Sequence, residues 1–246
     1  MSLAPPELAA LAAIVALAFG VEAATGFGST VVALTLGAGH FGLEPLLGVL
    51  VPLNLLLSAW ILARERSEVS RAFLLQRALP AMGAGLVLGT ALCSALPARA
   101  LAAGFGLFVA ALAIAQLVSI ARPPRPLAPG AQWAALLAGG VAHGLFATGG
   151  PLAVVVAQRA LPQKAAFRAT LACLWLVLNL GVLARLGWSG HLGGASLVTS
   201  ALLLLPLGLG AVAGDRLHRV LGRSAFRAVV AVVLLLGGAS LFWGSR

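Results

Sequence analysis

The sequence predicts an all-α, multi-pass membrane protein built from two inverted repeats, each a broken, re-entrant-type helical hairpin followed by three transmembrane helices. Three observations predict this class. The 246 residues are 61% hydrophobic and only 9% charged, with a mean hydropathy of +1.07. Apolar runs of membrane-spanning length recur along the chain, and the two halves carry matching motifs. A water-soluble domain of this composition would lack the polar residues needed to cover its surface.

The two halves repeat short motifs at a nearly constant spacing. Five pairs recur 123 to 126 positions apart: Ala24-Thr25-Gly26 with Ala147-Thr148-Gly149, Asn54 with Asn179, Pro80 with Pro206, Gly85 with Gly210, and Gly89 with Gly214. The small drift in spacing fits a gapped duplication. We therefore predict a first membrane repeat at 1–121, a proline-rich link at 122–130 and a second membrane repeat at 131–246.

Six apolar runs are long enough to cross a bilayer of about 30 Å, which needs about 20 helical residues. They are approximately Glu44–Leu62, Leu79–Leu96, Ala100–Ile120, Phe167–Leu186, Ala195–Gly214 and Phe226–Trp243. Two longer stretches, Leu8–His40 and Ala131–Leu161, are each interrupted near the middle by small residues. Each could be a broken single crossing or a hairpin that dips in and returns. Lipid cannot satisfy the backbone groups freed at a break, so each interruption must face protein or a water-filled cavity.

The distribution of Lys and Arg favours the hairpins. If each broken stretch crosses once, the sixteen basic residues divide eight against eight, which gives no orientation signal. If each stretch returns, thirteen lie on one side and only Arg99, Arg185 and Arg246 on the other. The positive-inside rule then places the thirteen in the cytoplasm. Each repeat contributes three crossings, an odd number, so the repeats are inverted and both termini lie outside. Single crossings with a weak charge bias are the alternative.

Several function classes are disfavoured by the same sequence. The net charge of +10 comes from residues in the short connections between apolar runs, which argues against nucleic-acid binding. Cys93 and Cys173 have no CxxC partner or Cys/His cluster, so we expect neither a metal site nor a thiol-exchange motif, and no cofactor. A phosphate-binding loop of the GxxxxGK[ST] kind is missing, so direct use of ATP is not expected. Residues 1–24 contain Glu7 and no basic residue, and we interpret them as a retained helix.

The two breaks predict a site for a small anion. In the second break, Thr148-Gly149-Gly150-Pro151, a half-helix is expected to start at Pro151 with Thr148 or Gly149 as its cap. In the first break, Thr25-Gly26-Phe27-Gly28-Ser29-Thr30, another is expected to start near Ser29, with Ser29 or Thr30 as the cap. Each helix start offers unpaired N–H groups and roughly half a positive elementary charge. Two such starts, brought together by pseudo-symmetry, would bind an oxyanion.

Polar residues inside apolar stretches complete the candidate site. An ionisable group at membrane depth is costly and usually faces a cavity, so Glu22 and His143, each just before a break, are candidates for proton coupling or gating. The alternatives are a water-exposed or neutral carboxyl group and a neutral imidazole bonded to a freed carbonyl. Asn54 and Asn179 could donate to an oxyanion or tie helices together. Arg168 could attract anions to the cytoplasmic mouth or extend to the lipid headgroups. The repeated GxxxG motifs are interpreted as helix-packing sites.

The chain resembles the sulfite exporter TauE/SafE family of membrane carriers. The resemblance rests on the two glycine-rich breaks, on Lys164-Ala165-Ala166-Phe167-Arg168-Ala169-Thr170 entering a helix, on Asn179, and on Leu205-Pro206-Leu207-Gly208-Leu209-Gly210 followed by Gly214. The second half matches better than the first, where Phe27 interrupts the glycines and Glu44 precedes the second helix. The resemblance implies transport of sulfite, organosulfonates or related sulfur oxyanions, commonly outward.

These observations together predict a secondary-active exporter of a small sulfur oxyanion, a multi-pass protein of the bacterial inner membrane that alternates access around the two half-helix starts. Its expected partners are the anionic substrate, the lipid bilayer and a coupling proton, with the oligomeric state left open. A passive anion channel is a nearby alternative. An intramembrane enzyme is disfavoured because Ser29 lacks a GxSxG setting. A membrane assembly factor is a further alternative.

Overall fold

The computed structural model describes residues 3–25, 27–121 and 127–220, and this part of the chain is helical, as predicted. The α-helices are α1 Pro5–Thr25, α2 Ser29–Phe41, α3 Leu43–Glu65, α4 Arg71–Phe73, α5 Leu79–Ala95, α6 Ala98–Ala121, α7 Pro129–Phe146, α8 Gly150–Ala160, α9 Lys164–Trp188, α10 Gly194–Leu202 and α11 Leu204–Val220. A short 3-10 turn, Arg66–Glu68, precedes α4, and a π-helical turn, Leu74–Ala78, joins α4 to α5.

Helices α1 and α2 form a hairpin. The chain turns at Gly28, whose φ of 103° lies in the left-handed region that favours glycine. At the open end of the hairpin, His40 Nε2 near the end of α2 lies 3.5 Å from Glu7 Oε1 near the start of α1. The first broken stretch therefore returns to the end from which it started, as the hairpin interpretation predicts.

Helices α7 and α8 form the corresponding hairpin in the second half. Here the chain turns at Ala147, the one described non-glycine residue with a positive φ, 52°. Gly139 of α7 lies against Gly149 and Leu152, so the chain folds back onto α7 as α8 begins. A side chain at Gly149 would overlap the Gly139 carbonyl oxygen, which explains the glycine at this close approach.

Helices α3 and α9 run antiparallel and are joined by an ion pair at each end. Arg185 near the end of α9 contacts Glu44 near the start of α3, with Nη1 2.9 Å from Oε1. Arg168 near the start of α9 contacts Glu65 at the end of α3, with Nη2 2.9 Å from Oε1. The start of α3 is therefore bound to the end of α9, and the end of α3 to the start of α9.

These ion pairs bear on the two chain paths considered from the sequence. Single crossings would place Arg64 and Arg168 on opposite sides of the membrane. The Glu65–Arg168 contact puts them at the same end of the structure, and Arg185 lies at the other end. That grouping is the one expected if both broken stretches return, and it differs from the one expected for single crossings.

The matched GxxxG motifs pack in matching ways. An added side-chain carbon at Gly85 or Gly89 would overlap the backbone oxygen of Leu137 or Val141 of α7. At Gly210 and Gly214 of α11 it would overlap the backbone of α1, at the residues Ala16 and Gly20. Glycine thus permits two close helix pairs, α5 with α7 and α11 with α1. Each pair joins the GxxxG helix of one half, α5 or α11, to the first helix of the hairpin in the other half, α7 or α1. These close contacts confirm the packing interpretation.

The matched prolines explain two departures from regular helix. Proline lacks an N–H group and its ring clashes with the carbonyl four residues earlier. For Pro206 that carbonyl belongs to Leu202, where α10 ends, and the predicted single run Ala195–Gly214 is instead bent by 43° between α10 and α11. For Pro80 it belongs to Gln76, inside the π-helical turn. The predicted run at 195–214 is therefore divided into two helices that are long and apolar enough for a membrane span only as a bent pair.

By length and composition, four described helical segments could cross a membrane, and the bent pair α10 and α11 would be a fifth. Helix α1 is one of the four, although its end lies beside Asn54, midway along α3. The predicted runs at 44–62, 79–96, 100–120 and 167–186 are confirmed as helices, and the second begins earlier, at Arg71. The run Phe226–Trp243 lies outside the described residues. The domain boundaries and the inverted duplication stay predictions.

Candidate functional site

The two hairpin turns meet at a buried cavity between α3 and α9. The cavity measures about 20 Å³, room for roughly one water molecule. Its wall includes the first residues of α2 and α8 and the middle of α3 and α9. The lining residues are Glu22, Phe27, Gly28, Thr30, Val31, Asn54, His143, Ala147, Thr148, Gly150, Trp175 and Asn179. Residues from both halves of the chain therefore line one shared cavity.

The first half-helix starts at Ser29, where the sequence predicted it. Its cap differs from the prediction, because Gly28 occupies the cap position without a side-chain hydrogen bond. The Ser29 hydroxyl and backbone N–H group instead both donate to Glu22 Oε2, the N–H group over 3.3 Å. Glu22 and Ser29 are 4% and 1% exposed. The start of α2 is therefore occupied by a carboxyl group of the protein itself.

A chain of hydrogen bonds extends from Glu22 across the site to the second half. Asn54 Nδ2 donates to Glu22, 3.1 Å from Oε2 and 3.3 Å from Oε1. Asn179 Nδ2 donates to Asn54 Oδ1 over 2.8 Å, and the Ser58 hydroxyl donates to the same oxygen over 3.4 Å. These two donors fix the orientation of the Asn54 amide, whose nitrogen must then face Glu22.

The second half-helix starts at Gly150, one residue before the predicted Pro151. Gly149 is the cap residue, one of the two predicted alternatives, and it makes no side-chain hydrogen bond. Pro151 lies in the first turn, where its missing N–H group costs nothing. Thr148 does not cap the helix, and its hydroxyl is buried without a hydrogen-bond partner among the described residues. This helix start thus has donors that the protein leaves unused.

His143 lies beside the second turn with its ring stacked on Trp175. The ring centroids are 5.8 Å apart and the ring planes differ by 15°. The side chain is 2% exposed, and neither ring nitrogen has a hydrogen-bond partner of sound geometry in the described chain. Buried polar groups are normally paired, so an unpaired imidazole at a cavity points to a ligand or a mobile proton.

The cavity has little formal charge. Among its described lining residues Glu22 and His143 are titratable, and Lys and Arg are missing from the wall. The starts of α2 and α8 contribute partial positive charge. The carbonyl ends of α1 and α7 approach the same region and oppose part of that charge. Preference for an anion therefore depends on the individual donors that line the cavity, chiefly amide, hydroxyl and imidazole groups.

The structure brings most of the predicted site residues together. Eight line the cavity: Glu22, Gly28, Thr30, Asn54, His143, Thr148, Gly150 and Asn179. Ser29 binds Glu22 directly, whereas Gly149 and Pro151 support the turn behind the lining. Thr25 ends α1 and Gly26 lies outside the described residues. Arg168, near the start of α9, does not reach the cavity, because it pairs with Glu65 at the end of α3.

Sequence reasoning missed two features. The apolar wall of the cavity includes Phe27, Val31 and Ala147, which no polar pattern distinguishes. Trp175 forms part of the same wall. The second missed feature is the ion pair of Glu44 with Arg185, to which Cys93 adds a contact, Sγ lying 3.3 Å from Glu44 Oε1 and 3.2 Å from Arg185 Nη1. The sequence offered one signal for this ion pair, because Glu44 lies at the start of one predicted helix and Arg185 at the end of another.

Comparison with known proteins identifies the family. The family model described as "Sulfite exporter TauE/SafE" matches residues 10–241, nearly the whole chain. The chain belongs to the TauE/SafE family. A relative from Comamonas testosteroni, described as "Probable inner membrane transporter protein TsaS", is 35% identical over 103 residues. That alignment covers 42% of this chain and 43% of the relative. No solved structure matches the chain.

Membership in the TauE/SafE family establishes the general class of this protein. Its family is one of membrane transport proteins and not of enzymes. The described residues contain no group of three or more His, Cys, Asp or Glu side chains that could hold a metal ion. The cavity between the two hairpin turns is the candidate substrate site.

Proposed function

We propose that the protein is a secondary-active exporter of sulfite, an organosulfonate or a related small sulfur oxyanion in the bacterial inner membrane. The observation that carries the proposal is the convergence of two half-helix starts, one from each half of the chain, on one buried cavity. Such helix starts bind oxyanions through backbone N–H groups and the helix dipole. The family and the relative's description, an inner membrane transporter, support the substrate class and the location.

The two halves act as inverted repeats in this proposal. Helices α3 and α9 occupy corresponding positions in the two halves and run antiparallel, as inversion requires. The α5–α7 and α11–α1 contacts are equivalent, because each packs the GxxxG helix of one half against the first helix of the other half. Carriers of this kind alternate access by rocking one repeat against the other around a site near the middle of the membrane. The end that carries Glu65 and Arg168 is assigned to the cytoplasm by the positive-inside rule.

The roles of individual residues follow from their places in the cavity. Thr148, Gly150 and the start of α8 bind the oxyanion, and Asn179 supports Asn54 beside it. Glu22 and His143 are the titratable lining residues and are proposed to exchange the coupling proton. Arg168 has a structural role, because Glu65 already neutralises its charge.

Purified protein in liposomes tests this function directly. Uptake of sulfite, sulfate, thiosulfate, sulfoacetate and simple carboxylates is measured with an imposed proton gradient and without one. A carrier gives saturable flux of a sulfur oxyanion that the gradient drives uphill. Flux that never saturates and never runs uphill would assign a passive channel. Failure to move any of these anions would refute the proposed function and favour an assembly role.

A further inference from the structure

The two half-helix starts at the cavity are unequal. At α2, the Ser29 N–H group and hydroxyl both donate to the Glu22 carboxyl group, and Asn54 adds a third donor. The hydrogen-bond partners of this carboxyl group are thus donors, with the Asn54 nitrogen held toward it by Asn179 and Ser58. A side chain of the protein therefore already takes up the donors at the start of α2.

At α8, the corresponding donors are open to the cavity. Thr148 is 2% exposed and its hydroxyl has no partner among the described residues. His143 is equally buried, and no hydrogen bond of sound geometry reaches its ring nitrogens in the same part of the chain, although the Asn179 side chain lies close enough to interact with the ring. Gly150 places no side chain over the helix start. Unpaired buried groups of this kind are rare, and here they surround the first turn of an 11-residue helix. Together they offer hydrogen-bond donors to an oxyanion of the solute.

Glu22 restricts what that solute can be. The other titratable residue in the described lining is His143 from α7, and α2, α3, α8 and α9 contribute neutral groups. A solute with two negative charges would lie in this cavity without a Lys or Arg in the described wall to offset its charge. A solute with one charge and one hydroxyl group could place its oxyanion on α8 and donate a hydrogen bond from that hydroxyl group to a Glu22 carboxyl oxygen. Hydrogensulfite has this chemistry.

We propose that the cavity binds one anion, on the α8 side only, and that the Glu22 carboxyl group occupies the α2 side and selects monoanions that carry a proton-donating oxygen. The proposal rests on the proposed function and specifies its substrate form. Glu22 is thus a specificity-determining residue: by filling one of two equivalent half-sites, it makes a pseudo-symmetric pocket accept a single, partly protonated oxyanion.

Binding to purified wild-type protein in detergent tests the proposal, with calorimetry as the readout. The probes are sulfite at a mildly acidic pH, where the hydrogensulfite form dominates, sulfate as a dianion, and methanesulfonate as a monoanion without a hydroxyl group. Wild type should prefer sulfite at least tenfold over the other two. Glu22→Gln should lower that preference to threefold or less, because the Ser29 and Asn54 donors would hold the new amide oxygen and leave an N–H group facing the hydroxyl group of the solute. Glu7→Gln, on the same helix but distant from the cavity, should behave as wild type.

A second pair of variants tests the α8 side. Thr148→Val should weaken sulfite binding about tenfold. Thr35→Val is its matched control, because Thr35 is also buried with an unpartnered hydroxyl among the described residues, yet lies outside the cavity lining. It should bind like wild type. Equal losses in the two variants would overturn the α8 assignment, and a Glu22→Gln protein with unchanged preference would overturn the role of Glu22.

Flux in liposomes separates this inference from the general function. Sulfite flux combined with an unchanged preference in Glu22→Gln overturns the inference and leaves the exporter function standing. The predicted change in binding preference without flux overturns the exporter function and leaves the inference standing. A wild-type protein that binds none of the three probes would overturn both.

Discussion

Asn54 and Asn179 occupy matching positions in the two halves of the chain, and their side chains hydrogen-bond to each other at the centre of the fold. Asn179 Nδ2 lies 2.8 Å from Asn54 Oδ1, between two antiparallel helices. The ion pairs Glu44–Arg185 and Glu65–Arg168 lie toward opposite ends of the same helix pair. When equivalent residues of two symmetry-related copies contact each other, they lie near the axis that relates the copies. In the proposed inverted repeats, the Asn54–Asn179 contact therefore marks the pseudo-symmetry axis.

The Asn54–Asn179 contact should couple the two halves energetically. Asn179→Leu should lower the free energy of unfolding by about 1–2 kcal/mol, because it leaves a buried amide oxygen of Asn54 with one weak donor. The measurement is reversible unfolding in mixed micelles. Asn54→Leu and the double variant complete a mutant cycle, and we expect a coupling energy of about 0.5 kcal/mol or more. Strict additivity of the two single changes would contradict a direct interaction.

The GxxxG contacts predict contrasting effects for neighbouring glycines. Gly85→Ala should destabilise the protein by about 1–3 kcal/mol, since the methyl group would overlap the Leu137 carbonyl oxygen. Gly83→Ala, two residues away, meets no atom within 4 Å and should be neutral or stabilising by up to about 1 kcal/mol. Melting temperatures of the purified variants provide the comparison.

The second half offers the same comparison independently. Gly210→Ala would overlap Ala16 of α1, whereas Gly208 has nothing within 4 Å. If the two halves pack alike, the difference between Gly210→Ala and Gly208→Ala should have the sign and approximate size of the difference between Gly85→Ala and Gly83→Ala. Destabilisation by the two control substitutions as large as that by their partners would refute this packing.

The two ion pairs should differ in strength. The side chains of Glu44 and Arg185 are 18% and 11% exposed, whereas those of Glu65 and Arg168 are 25% and 34% exposed. Removal of one partner of a buried pair leaves an uncompensated charge and costs about 3–5 kcal/mol, against about 1 kcal/mol at the surface. Glu44→Gln should therefore lower the melting temperature more than Glu65→Gln. The reverse order would show that the Glu44 end is more hydrated than the structure indicates.

The chain path can be tested by labelling single cysteines in a variant that lacks Cys93 and Cys173. Cysteine at Gln163, before α9, should react only with reagents on the cytoplasmic face, and cysteine at Ser189, after α9, only with reagents outside. Cysteine at His40 should share the outside face with Ser189, because the first hairpin returns. Labelling of His40 and Gln163 from the same face would contradict the hairpin.

Much of this fold could be predicted from the sequence because the membrane imposes simple constraints. Apolar run lengths located α3, α5, α6 and α9 within a few residues, since a spanning helix must satisfy its backbone internally. The unequal sharing of Lys and Arg favoured hairpins, and the ion pair of Glu65 with Arg168 agrees. The bend before Pro206 was missed because hydropathy does not report a local backbone clash.

The site was predicted less completely than the fold. Glycine-rich breaks and mid-membrane polar residues indicated Glu22, His143, Asn54 and Asn179 as candidates, and these four residues all line one cavity. Their partners could not be predicted, because a hydrogen bond between residues 32 or 125 positions apart depends on how helices pack. For that reason the binding of Glu22 to the start of α2 was not foreseen. Ser29 was assigned to capping, whereas its hydroxyl serves Glu22.

Gly150 provides the most direct test that the cavity between the half-helix starts carries the substrate. A methyl group added there would meet Phe27 and Trp175 at 3.6 and 3.7 Å, which is ordinary contact, so Gly150→Ala should fold and serve as the control. The larger side chain of Gly150→Leu would fill a cavity of about 20 Å³. We expect sulfite flux by Gly150→Ala liposomes within threefold of wild type and a loss of at least a hundredfold in Gly150→Leu, with both proteins folded. Equal flux by the two variants would contradict a transport path through this cavity.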